Sequence, residues 1–291
     1  MKLLIIGATS YIGNAIYCEA KTKMLVIGTR NHTASNEFVS FDMTKDDLKT
    51  ITGNFPKGEK WAVVCSAQAN IDRCFTCYDE AKNINVTATK RLLDGLGQAG
   101  FHTVFLSTDN VFSGRAGYYK ESDPKDAINA YGKMKAEVED YILSHCEKTV
   151  IMRISKIVGD IPHARNMFTE WQKKAQNGES VYCIQNNIFS PTDLNDIVNC
   201  CFTLLKKKMV GLYNVCNQEH FDRAELARQF FRRMDAKIDI MEKPLDYFSF
   251  KDKHSLKTYL CNDKFVRETG YMFRSMNDVM EKYLMGQVHI F

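Results

Sequence analysis

No apolar run in this chain approaches the roughly 20 residues that a membrane-spanning helix needs, and the four apolar residues before Gly7 are too few for a secretory leader. The expectation is a soluble, cytoplasmic protein without a membrane partner. Charge of one sign is also lacking: 39 Lys and Arg against 35 Asp and Glu leave +4, with no basic surface to suggest nucleic acid. The seven histidines are dispersed, and the one C-x-x-C, Cys74 and Cys77, has no second pair to complete a zinc site. No metal is expected. The ten cysteines are scattered and read as reduced thiols. There is no internal repeat and no low-complexity segment.

What is present is a length of 291 residues with 45% hydrophobic residues, enough for one nucleotide domain and a smaller lobe. Short apolar runs at 3–6, 24–27, 62–65, 103–107 and 150–154 alternate with helix-patterned segments at 12–20, 81–95 and 130–143. Such alternation predicts βαβ units and a doubly wound, Rossmann-type parallel α/β sheet. Beyond 154 the pattern loosens into polar loops around Pro162 and Pro191, helices near 167–175 and 196–205, and a strand at 212–216. We expect residues 1–155 to bind the dinucleotide. Residues 156–291 should form mainly a C-terminal α/β substrate lobe, with some segments returning to the first domain. Lys206–Lys208 suit a helix C-terminus. Trp61 is expected in the core and Trp171 is a candidate for the substrate cleft.

"KLLIIGATSYIGNAI", residues 2–16, reads as a strand turning into a helix. Gly7 ends the strand, and Gly13 lets the helix lie close to it, so that first-turn amides face a pyrophosphate at the positive helix end. Gly7, Thr9, Ser10, Tyr11, Ile12 and Gly13 are the candidate contacts. Ser10 stands where glycine is usual, and its hydroxyl is assigned to a phosphate oxygen. The second strand ends in Arg30 rather than an acid, which favours NADP over NAD through the 2′-phosphate. Asp42 and Met43 are candidates for the adenine.

"VFLSTDNVFSG" (104–114) carries Ser107, Thr108 and Asp109 out of a strand at the sheet edge where such folds bind ligands. Some twenty residues on, Tyr131 and Lys135 share a helix face. An ammonium beside a phenol should lower its pKa from about 10 toward neutrality, giving a proton donor. Thr108 would bond the carbonyl oxygen that receives the proton.

The ordered set of glycine loop, S-T-D strand end and Y-x-x-x-K helix resembles the extended short-chain dehydrogenase/reductases, most closely the dTDP-4-dehydrorhamnose reductase family. "STDNVFSG", "YGKMKAEVE", "CSAQANIDRC", "NINVTATKRLL", "RISKIVG", "SPTDLNDIV", "GLYNVCNQEHFDRAELA" and "TYLCNDKFVRETGY" carry the likeness through the whole chain. The resemblance implies a catalytic Thr108, Tyr131 and Lys135, with hydride passing from a nicotinamide to a sugar keto carbon while Tyr131 delivers a proton. It implies that Lys135 also holds the nicotinamide ribose and that Ser66, Ala67, Gln68 and Ser107 line the cofactor.

Ser10, Asn110 and Lys156 depart from the family pattern, which has glycine, tyrosine and tryptophan there. Thr108, Asp109, Asn110 and Lys156 are the candidate substrate contacts. A cation in place of an aromatic platform moves the expected substrate away from a neutral deoxyhexose, toward a more acidic or otherwise different sugar. The leading expectation is an NADP-preferring reductase of a nucleotide-linked 4-keto sugar. One alternative is an epimerase that retains NAD; another is a non-catalytic NADP-binding regulatory subunit, as the β subunit of methionine adenosyltransferase is in this family. Monomer and homodimer are both open.

Overall fold

A computed structural model describes residues 1–33, 35–53, 55, 57–159 and 166–287. The loop expected around Pro162 lies outside the described residues. Seven strands build the main sheet: β1 (Lys2–Ile6), β2 (Leu25–Arg30), β3 (Val39–Ser40), β4 (Lys60–Val64), β5 (Phe101–Thr108), β6 (Thr149–Ile154) and β7 (Gly211–Asn214). All pair in parallel, in the order β7-β6-β5-β4-β1-β2-β3. Chain direction across the sheet reverses between β1 and β4, and a crevice opens at such a point outside the strands' carboxyl ends.

Both faces are covered, so each apolar run feeds two cores by the period-two alternation of a strand. Leu3, Ile5, Val63, Val104 and Met152 pack on one side with α1 (Tyr11–Ala20) and, further on in the chain, the helix Leu194–Lys206. Leu4, Ile6, Val64, Phe105 and Ile151 face the other way, toward α2 (Thr89–Gln98) and α3 (Ala130–His145). Trp61 is buried in the first core, as expected. The helix Leu194–Lys206 and strand β7 belong to this main body although they follow residue 156.

A third core gathers α4 (Met167–Gln176), the helix Arg223–Arg233 and the helix Met276–Gln287 beside a parallel pair of strands, Val181–Ile184 and Ile240–Lys243. Trp171 sits in this core, ringed by Phe168, Phe230 and Phe231. It does not line the cleft; its large apolar surface is used for packing. No helix among the described residues is long and apolar enough to cross a membrane.

Candidate active site

The turn from β1 into α1 is built by its two glycines. Gly7 adopts φ +85°, the left-handed region that suits glycine. A Cβ on Gly13 would stand 2.3 Å from the Gly7 carbonyl oxygen, so helix and strand meet only because it has none. Ser10 caps α1: its hydroxyl accepts from the Gly13 amide at 3.1 Å and donates to the Gly7 carbonyl at 2.8 Å. The expected donation to a phosphate is thereby corrected, because its single proton is already committed to the loop.

Gly7, Thr9, Ser10, Arg30, Met43, Ser66 and Ala67 converge on one cavity of about 200 Å³ at the carboxyl ends of β1, β2 and β4. The loop conformation and this cavity fit the adenosine and phosphate half of a dinucleotide. Arg30 is oriented by donating Nε to the Ser35 carbonyl at 2.9 Å. The side chains of three expected contacts are turned elsewhere. The Asp42 carboxylate accepts from the Thr44 amide and hydroxyl, which holds it below the usual carboxylate range. Ile12 packs against the core. The Gln68 side chain accepts from the Asn70 amide, while its backbone is clamped by Asn85: Oδ1 accepts from the Gln68 amide at 2.8 Å and Nδ2 donates to its carbonyl at 2.9 Å. Asn85 lies in a π-helical turn, Asn83–Ala88, that interrupts what the sequence reads as one helix.

A second cavity, about 630 Å³, opens at the ends of β5 and β6. Thr108 and Tyr131 share it. Tyr131, Lys135 and Glu139 follow at four-residue steps along α3, a stripe running from the cleft down onto the sheet. Lys135 is buried, 4% exposed, and donates Nζ to the Leu106 carbonyl at 2.8 Å. Burial brings its ammonium down to about 8, against the attraction of Glu139.

Below it, fully buried Glu139 accepts two bonds from Arg153, at 2.9 and 2.6 Å, and one from the Ser107 hydroxyl at 2.6 Å. Ser107 thus anchors the strand end to the helix, although it also borders the cleft. The Tyr131 phenol is pushed above its ordinary value, first by desolvation and then by the nearby Asp109, with Thr108 opposing. The expected lowering by Lys135 is corrected: in this arrangement the ammonium serves the Leu106 carbonyl.

Asn110 borders the cleft, but its amide is occupied. Nδ2 donates to Asp109 and Thr108, and Oδ1 accepts from Asn129 at 3.1 Å. Asn129 in turn caps α3 at the Gly132 amide. A Cβ on Gly132 would stand 2.0 Å from the Asn110 carbonyl oxygen, so this glycine allows the helix start and the strand end to touch. Asp109 is buried, accepts from Thr108, Asn110 and Ser155, and is raised by its burial.

Tyr11, placed with the cofactor contacts by sequence, borders this second cavity and reaches the Gly159 carbonyl at 3.4 Å. Lys156 is exposed on the cleft wall. Enclosure, then the Arg223 guanidinium, holds its ammonium below the usual lysine value. Sequence reasoning missed Arg223, Tyr182, Phe248, Phe250 and His254, which complete the wall. Phe250 stacks between Phe248 and His254, with ring centroids 5.7 and 3.8 Å away. Arg223 opens a helix as the residue after the Asp222 cap, a signal legible in "FDRAEL". Cys74 is buried, its thiol directed at the Gln68 carbonyl, and Cys77 is exposed.

A family model described as RmlD substrate binding domain matches residues 1–284. A methionine adenosyltransferase 2 subunit beta from Danio rerio is 26% identical over 237 residues, 77% of this chain and 71% of that protein. A dTDP-4-dehydrorhamnose reductase from Aggregatibacter actinomycetemcomitans is 27% identical over 212 residues, 72% of this chain and 69% of its own. The crystal structure of a dTDP-4-dehydrorhamnose reductase from Bacillus anthracis, in complex with NADP, superposes with a TM-score of 0.85 at 20% identity, covering 98% of this chain and 100% of that one.

Proposed function

Since the chain belongs to the RmlD substrate binding domain family, we propose that it is an NADP-preferring reductase of a nucleotide-linked 4-keto sugar. The observation that carries this reading is that Thr108 and Tyr131 line one cleft of about 630 Å³, on the same sheet edge as the Gly7–Arg30 cavity. The relatives named dTDP-4-dehydrorhamnose reductase, one of them holding NADP, agree with it.

Gly7, Thr9, Ser66 and Ala67 would hold the adenosine and phosphate half of NADP, with Arg30 toward the 2′-phosphate. When bound, the reduced cofactor supplies a hydride. Thr108, whose hydroxyl donates to Asp109 in this arrangement, would turn that proton to the keto oxygen on substrate binding. Tyr131 keeps its proton at neutral pH, as the raised pKa requires, and delivers it to that oxygen as negative charge develops there. Lys135, still largely protonated at pH 7 given a pKa of about 8, holds α3 to the strand end through the Leu106 carbonyl. Asp109 and Asn110 fix the Thr108 strand end, and Lys156 meets the sugar.

The test is to mix the protein with NADPH or NADH and a panel of nucleotide-linked 4-keto sugars and follow loss of the reduced cofactor's absorbance. NADPH consumption with one of them is expected; binding of NADPH without turnover of any sugar overturns the reductase reading. A second reading, a regulatory subunit, has the likeness to the methionine adenosyltransferase β subunit in its favour. Co-purification with a partner enzyme whose activity it alters, together with absent turnover, would establish that reading instead.

A further inference from the structure

Lys156 and Arg223 face one cleft without an ion-pair partner among the described residues. The arginine is fixed: Nε donates to Asn187 Oδ1 at 2.8 Å and the guanidinium lies over the Phe189 ring at 5.4 Å. Acidic groups act on the two cations only from a distance: Glu170 on both, Asp109 on the lysine and Asp222 on the arginine. Asp222 is spent on the Ala224 amide, and Asp109 on Thr108, Asn110 and Ser155. Two like charges facing one cleft repel, and an anion between them relieves that repulsion.

Lys156 also has a defined neighbour. Ser155 donates its hydroxyl to Asp109 Oδ2 at 3.0 Å, and Asp109 is next to Thr108. The lysine therefore stands at the reacting end of the cleft, where a sugar ring rather than a nucleotide would sit.

We propose that Lys156 and Arg223 form a carboxylate subsite, so that the sugar carried by the substrate is a sugar acid. This rests on the sugar-nucleotide reading above and narrows it. A lysine ammonium and a guanidinium fork on one carboxylate supply charge-assisted hydrogen bonds that a neutral deoxyhexose cannot use.

The test measures dissociation constants on the NADP-loaded protein for UDP-glucose against UDP-glucuronate, and for the dTDP pair, by calorimetry. The glucuronate of at least one pair is expected to bind about tenfold or more tightly than its glucose partner, the worth of one charge-assisted contact. In Lys156→Met that ratio should fall toward one, and in Lys156→Glu it should invert; Arg223→Gln should also reduce it. A wild-type ratio near one overturns the proposal. So does an equal loss of affinity in Lys156→Met for both sugars and for UDP or dTDP alone, which would assign the lysine to the diphosphate. If no sugar nucleotide binds while NADPH does, the sugar-nucleotide reading itself has failed.

Discussion

Lys135 donates its ammonium to the backbone carbonyl of Leu106, 2.8 Å away, and so ties α3 to the strand that ends in Thr108. One ammonium charge thus fixes the geometry that holds the tyrosine over the strand end. As burial brings the lysine down to about 8, that charge is lost as pH rises through this value. The expected outcome is a kcat/KM that declines above pH about 8, read from initial rates across pH 6 to 10 at fixed ionic strength. Stability carries the opposite sign from this group. The unfolded lysine, near 10.5, binds more protons than the folded one between 8 and 10.5, so its contribution to stability rises with pH across that window.

Tyr131→Phe removes the proton donor and leaves the ring. Turnover is expected to drop by about 10²- to 10⁴-fold, with NADPH affinity by fluorescence titration nearly unaltered. Turnover at the wild-type rate would remove Tyr131 from the mechanism.

Arg30→Ala should raise the KM for NADPH more than for NADH, since only the former carries a 2′-phosphate. An equal effect on both cofactors would show that the guanidinium serves only the Ser35 carbonyl it already holds.

Glu139→Gln keeps the shape of the buried cluster but removes its negative charge, leaving Arg153 and Lys135 short of a counter-charge. Loss of a partner from a buried pair costs about 3–5 kcal/mol. Urea unfolding should show a lowered midpoint, whereas Glu137→Gln, an exposed pair with Lys90, should move it by less than about 1 kcal/mol.

The sheet was legible because its strands are buried on both faces and appear as unbroken apolar runs between helices; 3–6 and 150–154 fall inside β1 and β6. Val39–Ser40 was not, being two exposed residues at the sheet edge. The helix expected at 81–95 is real but broken by a π-turn, which shifts Asn85 without altering any pattern of hydrophobicity. The Gly7–Gly13 turn and the placing of Tyr131 and Lys135 on one helix face were legible because their spacing is local. Arg223, Phe248 and Phe250 lie far along the chain, and only the packing of the lobe brings them to the same cleft. Trp171 left both readings open for a related reason: nothing local distinguishes an aromatic that packs from one that meets a ligand. The pairing of Asn110 with Asn129 was not legible because the two are nineteen residues apart.

The small ring that Ser10 closes with Gly7 and Gly13 has a consequence for affinity. A loop whose central residue is glycine gains freedom that a ligand must remove on arrival. Here a hydroxyl fastens the turn from within, so its shape is settled when the chain folds. The entropic penalty of ordering falls on folding rather than on binding. Pre-organisation of this kind predicts that Ser10→Ala weakens the dinucleotide without touching it, and lowers stability by about 1 kcal/mol as an N-cap loss. Binding calorimetry would register the difference as a less favourable entropy.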